Sequence, residues 1–398
     1  SLFREAKYNL ILTKHMKKGL VEQKPGQILA FAAYTNKIPD IIKFTIGEPD
    51  FNTPEHIKKA AEASIANNHS HYAPSNGTPG LRKAAADFLA EKYGQKYDPS
   101  EILITNGVTE SIYDFLTAVL NPGDVVLVPT PIFPLYIGDA LSMGATVEQI
   151  DTSDDDFKLT PDKLQAALDK YGDRVKALVM NYPTNPTGVM YTQDELDALA
   201  DVVRDKPIFV LADEIYSELN YDQPHASMEK TLHDQVVLMN GVSKAWAMTG
   251  YRIGVVAAPK PILDQIAKIH QAITTTEPTP MQDAAEEALA NGKDDALPMK
   301  KEFQKRRDVL YDGLTKLGFE CVKPKGAFYI FAKIPAGLEQ DDTKFIYDLA
   351  EKGRVAVVAG SFFAKGGEGY IRLSYATSMD NIKEGLKRLK QYVKENKA

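Results

Sequence analysis

Between about residue 100 and residue 260 of this 398-residue chain, one unit recurs: a short apolar run, a polar turn, then a stretch of helical periodicity. That rhythm predicts a parallel α/β sheet. The runs are Ile102–Thr105, Val125–Val128, Ala177–Met180, Ile208–Ala212, Val236–Met239 and Ile253–Ala257. Their Val, Ile and Leu content suits strands covered on both faces. Upstream, Thr78-Pro79-Gly80-Leu81 predicts a helix start, with Thr78 as cap, Pro79 in the first turn and Gly94 as the stop. The pattern changes beyond Pro278 and Pro280. A long charged helix from about Met299 to Leu317 leads into two strand-like runs, Ala327–Ala332 and Tyr370–Ser374, and an amphipathic helix over Asn381–Val393. A smaller α+β domain is therefore expected after the large one.

The length makes two domains the natural division. With 44% hydrophobic and 25% charged residues, the chain has the composition of a folded globular protein. A net charge of −7 gives no attraction for phosphate backbones or anionic lipid, so neither nucleic acid nor a membrane surface is an expected partner. The one cysteine, Cys321, has no partner for an intramolecular disulfide, and no Cys/His cluster has zinc spacing, so no metal site is expected. Ser1–Lys18 lacks the apolar core of a signal peptide, which makes a cytoplasmic protein the expectation.

In an open parallel sheet, ligands bind beyond the carboxyl ends of the strands. The residues following the apolar runs form a coherent set: Asn106-Gly107-Val108-Thr109, Pro131-Ile132-Phe133, Asn181 to Gly188, Asp213-Glu214-Ile215-Tyr216, and Ser243-Lys244 with Arg252 eight residues on. A lysine at the mouth of such a sheet, beside an arginine, a donor-rich turn and an aspartate, points to Schiff-base chemistry with an anionic cofactor. Taken singly, each residue has a plainer reading: a surface lysine, a capping aspartate, a core aromatic at Phe133, a strand-face arginine at Arg372. His69-Ser70-His71 reads as exposed loop histidines, Lys365–Gly369 as a flexible loop and Asp154–Asp156 as a solvated turn.

Over essentially its whole length the chain resembles the fold-type I pyridoxal-phosphate enzymes, the class I and II aminotransferases. The resemblance rests on Gly47-Glu48-Pro49-Asp50-Phe51, Tyr72 with Gly77 and Gly80-Leu81-Arg82, Asn185-Pro186-Thr187-Gly188, Asp213-Glu214-Ile215-Tyr216, Ser243-Lys244 with Thr249-Gly250-Tyr251-Arg252, and Arg372-Leu373-Ser374. It implies a three-layer fold with a mostly parallel central sheet. It also implies an N-terminal segment, residues 1–45, packing with the small domain, a cofactor-binding domain over 46–285 and a small domain over 286–398. By the same resemblance, Lys244 holds pyridoxal 5′-phosphate and moves the substrate proton, and Asp213 faces the pyridine nitrogen. Tyr216 and Asn185 reach the phenolic oxygen, and Phe133 stacks on the ring. Gly107, Val108, Thr109, Ser243 and Arg252 receive the phosphate, helped by Tyr72 from a neighbouring subunit, so a homodimer is implied. Gly47, Asn185 and Arg372 take the substrate carboxylate. The chain departs from many relatives in having Gly241, not serine, three residues before the lysine.

The motifs around Asp213–Leu219, Lys323–Phe331 and Gly367–Ser374 look most like bacterial aromatic amino acid aminotransferases and relatives acting on N-acetyl-diaminopimelate. The resulting expectation is ping-pong transfer of an amino group from an aromatic L-amino acid to a 2-oxo acid such as 2-oxoglutarate. N-acetyl-diaminopimelate or aspartate as donor, and a carbon–sulfur lyase reaction, are the alternatives. The helix after Thr109 contains no Lys or Arg up to Leu120, which favours a donor without a second carboxylate. The segment up to Phe44, with Lys17, Lys18 and Lys24, is placed to fold over the site.

Overall fold

A computed structural model describes residues 1–23 and 25–398. Its centre is a seven-stranded sheet, in the order Ile102–Thr105, Gly254–Ala257, Val236–Gly241, Phe209–Asp213, Val175–Asn181, Val125–Thr130, Thr146–Asp151. Alternation along the inner strands feeds two separate cores. Leu178, Met180, Val210 and Leu238 pack on one face, and Ala177, Val179, Leu211 and Val237 on the other. Helices cover both faces, which is why these runs contain so few polar residues. Pro79–Tyr93 begins as the sequence predicts: the Thr78 hydroxyl accepts from the Leu81 N–H at 3.3 Å, and Gly94 ends the helix at φ +67°.

Two strands differ from expectation. Gly254–Ala257 runs antiparallel to both its neighbours, Ile102–Thr105 and Val236–Gly241. Only a short irregular segment joins it to Val236–Gly241, and without a crossover helix the chain turns straight back. Thr146–Asp151, absent from the predicted runs, forms the edge strand beside Val125–Thr130. Its Glu148, Gln149 and Asp151 suit a half-exposed edge and hide it from a search for apolar runs.

Past the long helix Ala296–Lys316, a four-stranded antiparallel sheet joins Val358–Ala359, Tyr370–Ser374, Tyr329–Lys333 and Glu320–Cys321. The early chain is tied to this part: Ile42–Lys43 pairs with Val355–Ala356, and Phe31 packs edge-on to Tyr347 at 5.0 Å. The first helix, Leu2–Lys14, buries none of its residues. Among the described residues, no helix is long and apolar enough to cross a membrane.

Candidate active site

The carboxyl ends of the parallel strands and the Tyr370–Ser374 strand enclose a cavity of about 560 Å³. Strand order changes direction around Val125–Thr130, which opens the crevice there. Gly47, Val108, Thr109, Phe133, Asn185, Asp213, Tyr216, Ser243, Lys244, Arg252 and Arg372 all line it. Gly107 stands at its edge, at φ +77°. A Cβ there would lie 2.3 Å from an Arg252 guanidinium nitrogen, so only glycine lets that guanidinium approach the first turn of Gly107–Val119. Tyr72 is elsewhere, 86% exposed and beside a separate surface hollow with Ser70 and His71.

Lys244 Nζ donates to the Gly47 carbonyl at 2.6 Å and sits 5.6 Å from the Tyr216 ring. Burial, aided by Arg372 and Arg252 and opposed by Glu48 and Asp213, brings its ammonium down to about 8. Asp213 is buried at the end of its strand, where Tyr136 donates to Oδ2 at 2.5 Å and the Ile215 N–H to Oδ1 at 3.2 Å. Burial outweighs those bonds and the nearby Lys244 charge, and raises its carboxyl to about 6. Tyr216 and Tyr329 share a hydrogen bond of 2.8 Å.

Arg372 answers the plainer reading directly. It is buried and pairs with no acid among the described residues. Its Nη1 donates to Asn185 Oδ1 at 2.8 Å and its Nη2 to the Thr45 carbonyl at 3.2 Å, while Nε–H has no partner. The guanidinium lies 4.4 Å over the Tyr329 ring, and burial lowers its affinity for its own proton. An unpaired, buried cation with a free donor is built to receive an anion.

Sequence reading assigns no site role to Tyr136, Tyr329, Asn181, Glu48, Thr249, Leu135 and Ile28, although Asn181, Glu48 and Thr249 lie within its motifs, and all seven line the cavity. Ile28 comes from the early segment expected to fold over the site; Lys17 and Lys18 do not line the cavity, and Lys24 lies outside the described residues. Gly241 is crowded: a Cβ would come 3.0 Å from the Ile253 carbonyl oxygen. A serine there would need the facing strand to give by a few tenths of an ångström.

A pocket with an unusually acidic lysine, an anion-ready helix start beside an arginine, and a buried aspartate suits a phosphorylated, electron-withdrawing cofactor. Residues 39–389 match the family model for aminotransferase class I and II. The chain belongs to that family. Its members depend on pyridoxal phosphate, and this aminotransferase is an enzyme of the transaminase class. It is 44% identical over 356 residues, 89% of each chain, to a probable N-acetyl-LL-diaminopimelate aminotransferase of Bacillus subtilis. The aspartate aminotransferase of Thermus thermophilus, solved with maleate, superposes with a TM-score of 0.89 at 34% identity, covering 94% of this chain and 99% of that one. An aromatic aminotransferase of Pyrococcus horikoshii gives 0.84 at 36% identity, over 92% and 99%. The three-layer fold expected from the sequence holds for this aminotransferase, and amino acids and 2-oxo acids are its substrates.

Proposed function

We propose that this aminotransferase takes the amino group of an aromatic L-amino acid and passes it to a 2-oxo acid such as 2-oxoglutarate, in two half-reactions at one cavity. The observation that carries the donor reading is the lining. Ile28, Ile112, Phe133, Leu135 and Tyr329 supply apolar surface, and among the described residues the cations that line it are Lys244, Arg252 and Arg372. The roles proposed below engage all three, so an apolar donor side chain meets this lining as it stands, whereas 2-oxoglutarate requires the pocket to adapt around its second carboxylate.

The residues present fit pyridoxal phosphate. The first-turn N–H groups at Gly107, Val108 and Thr109, with Arg252 and Ser243, would hold its phosphate. Asp213 would face its ring nitrogen, Phe133 its ring face, Tyr216 and Asn185 its phenolic oxygen, and Lys244 its carbonyl carbon. Once bound, the cofactor supplies an electron sink for the electrons left when the substrate Cα proton departs.

The remaining work belongs to the chain. Lys244 Nζ, with a pKa near 8, both accepts and returns the Cα proton near neutral pH. Tyr136 fixes the Asp213 carboxyl so that it meets a protonated ring nitrogen without rotating. Arg372 orients the substrate through its carboxylate, with Asn185 and the Gly47 backbone beside it. The homodimer belongs to the same proposal, because the exposed Tyr72 contributes nothing to its own protomer's cavity. A cytoplasmic setting is supported by the single cysteine, which leaves the chain without an intramolecular disulfide.

An absorbance titration of the cofactor-loaded protein tests the donor. Phenylalanine is expected to convert the cofactor band completely with release of its keto acid, and 2-oxoglutarate to restore it. Conversion by N-acetyl-diaminopimelate or aspartate alone would overturn the aromatic reading. Release of ammonia and pyruvate from cystathionine, with no need for a keto acid, would replace transamination with lysis.

A further inference from the structure

Glu110 and Asp114, one turn apart on Gly107–Val119, lie outside the cavity lining. They meet His270 of the helix Lys260–Thr274 and Glu277 just beyond it. Ligand atoms of Glu110, Asp114 and His270 all fall within 4.8 Å of one another. The histidine sets the chemistry. Its Nε2 is 2.7 Å from the Ser75 carbonyl, which only accepts, so Nε2 carries the proton and donates. Nδ1 stands 2.8 Å from Glu110 Oε2 and 3.6 Å from Glu277 Oε1, the position that a metal ion would take over. An imidazole anchored through one nitrogen to a backbone carbonyl, with the other turned to carboxylates, is how metal-binding histidines are held.

A second observation is independent of that ring. Glu277, 2% exposed and contributed by a different segment, lies beside the cluster with Oε1 3.6 Å from His270 Nδ1, and no backbone, amide or basic side-chain donor reaches either carboxylate oxygen. Asp114, fully buried, likewise has both oxygens unpartnered. Among the described residues, no lysine or arginine pairs with any of the three carboxylates.

We propose that Glu110, Asp114 and His270, with Glu277 completing the set, bind a divalent transition-metal cation. Three carboxylates and one imidazole suit Mn²⁺ or Zn²⁺ better than an all-oxygen ion such as Mg²⁺ or Ca²⁺. The hollow lined by Asn106, Thr276 and Glu277 leads to the cluster from the Tyr72 face, which the proposed dimer covers, so the ion would enter before the subunits pair. Glu110 also accepts from the Asn106 N–H at 2.7 Å, so the ion would brace the turn that opens toward the catalytic cavity.

The test uses the untagged, cofactor-loaded enzyme. After chelation and desalting, Zn²⁺ and Mn²⁺ are titrated by calorimetry, and the metal carried through purification is counted by mass spectrometry. One equivalent per chain is expected, weakened at least about tenfold in both Asp114→Asn and Glu277→Gln. Chelation is expected to lower the Tm of the parent and leave the variants unmoved. Glu277→Gln, isosteric and in a connecting segment, keeps the test readable if Asp114→Asn folds poorly. An enzyme that binds neither ion, or binds one equally well in both variants, overturns the site. The buried oxygens would then be sharing protons.

Discussion

The two sides of the helix Gly107–Val119 carry opposite imbalances. On one, Lys244, Arg252 and Arg372 face a cavity in which Asp213 and Glu48 are the acids. On the other, three carboxylates crowd one imidazole. Charge of one sign is expensive to bury unless something of the other sign arrives, so each imbalance describes a missing guest. The cavity asks for anions, namely a phosphate and a carboxylate, and the cluster asks for a cation. The helix serves the first through its free N–H groups and the second through side chains at four-residue spacing.

The sharpest way to separate the two sides is Lys244→Ala. Transamination should fall at least 10²–10⁴-fold, the contribution of a positioned acid–base group, and the cofactor band should shift with it. Thermal stability without cofactor should hold or rise, since a poorly solvated charge has gone. Retained turnover would remove Lys244 from the chemistry. Arg372 comes next. Replacing it by Leu should reduce kcat/KM by roughly 10–100-fold, the worth of a charge-assisted bond at about 1.5–3 kcal/mol. Arg372→Lys should recover little, because the Asn185 and Thr45 contacts need the planar fork. Steady-state kinetics that leave Arg372→Lys at parental KM would show that the carboxylate binds elsewhere.

How far these regions can be read from sequence follows from what each is made of. The inner strands announce themselves because both faces are covered. Thr146–Asp151 stays hidden because half of it meets water. The direction of Gly254–Ala257 is invisible in its own composition, since an antiparallel strand covered on both faces looks the same. Cavity residues with distinctive chemistry stand out, Asp213 at a strand end, Lys244 just past one and Arg372 within the Tyr370–Ser374 strand. Tyr136 and Tyr329 do not, because an aromatic among apolar neighbours reads as core until its hydroxyl finds Asp213 or Tyr216. The acidic cluster is the least legible. Glu110 and Asp114 share a helix face, but His270 and Glu277 join them only when two distant segments close over it.

Asp213 sharpens the comparison through pH. Its folded value, about 6, lies above the usual carboxylate value, so the protonated form is the one that folding favours. The associated stability is complete below about pH 4 and is lost as pH rises through 6, on the order of 1–3 kcal/mol. Urea titrations of the cofactor-free protein at pH 4.5 and 7.5 should show that loss, and Asp213→Asn should abolish most of it while crippling catalysis. A parent whose pH dependence matches that of Asp213→Asn would mean that the carboxyl is not strained in the way its burial indicates.

Gly107→Ala should have the smallest effect and touches one side alone. Its left-handed φ of +77° costs an alanine about 1–2 kcal/mol, and the new methyl group must push the Arg252 guanidinium from the turn. Cofactor affinity, read by equilibrium dialysis, should weaken roughly tenfold, the equivalent of one charge-assisted contact. The Asn106–Glu110 bond lies on the opposite side and survives, so metal uptake by the acidic cluster should match the parent. If the substitution weakens both guests, the helix moves as a whole and the two sides are coupled. If it weakens the cofactor alone, they are independent sites on one rigid element.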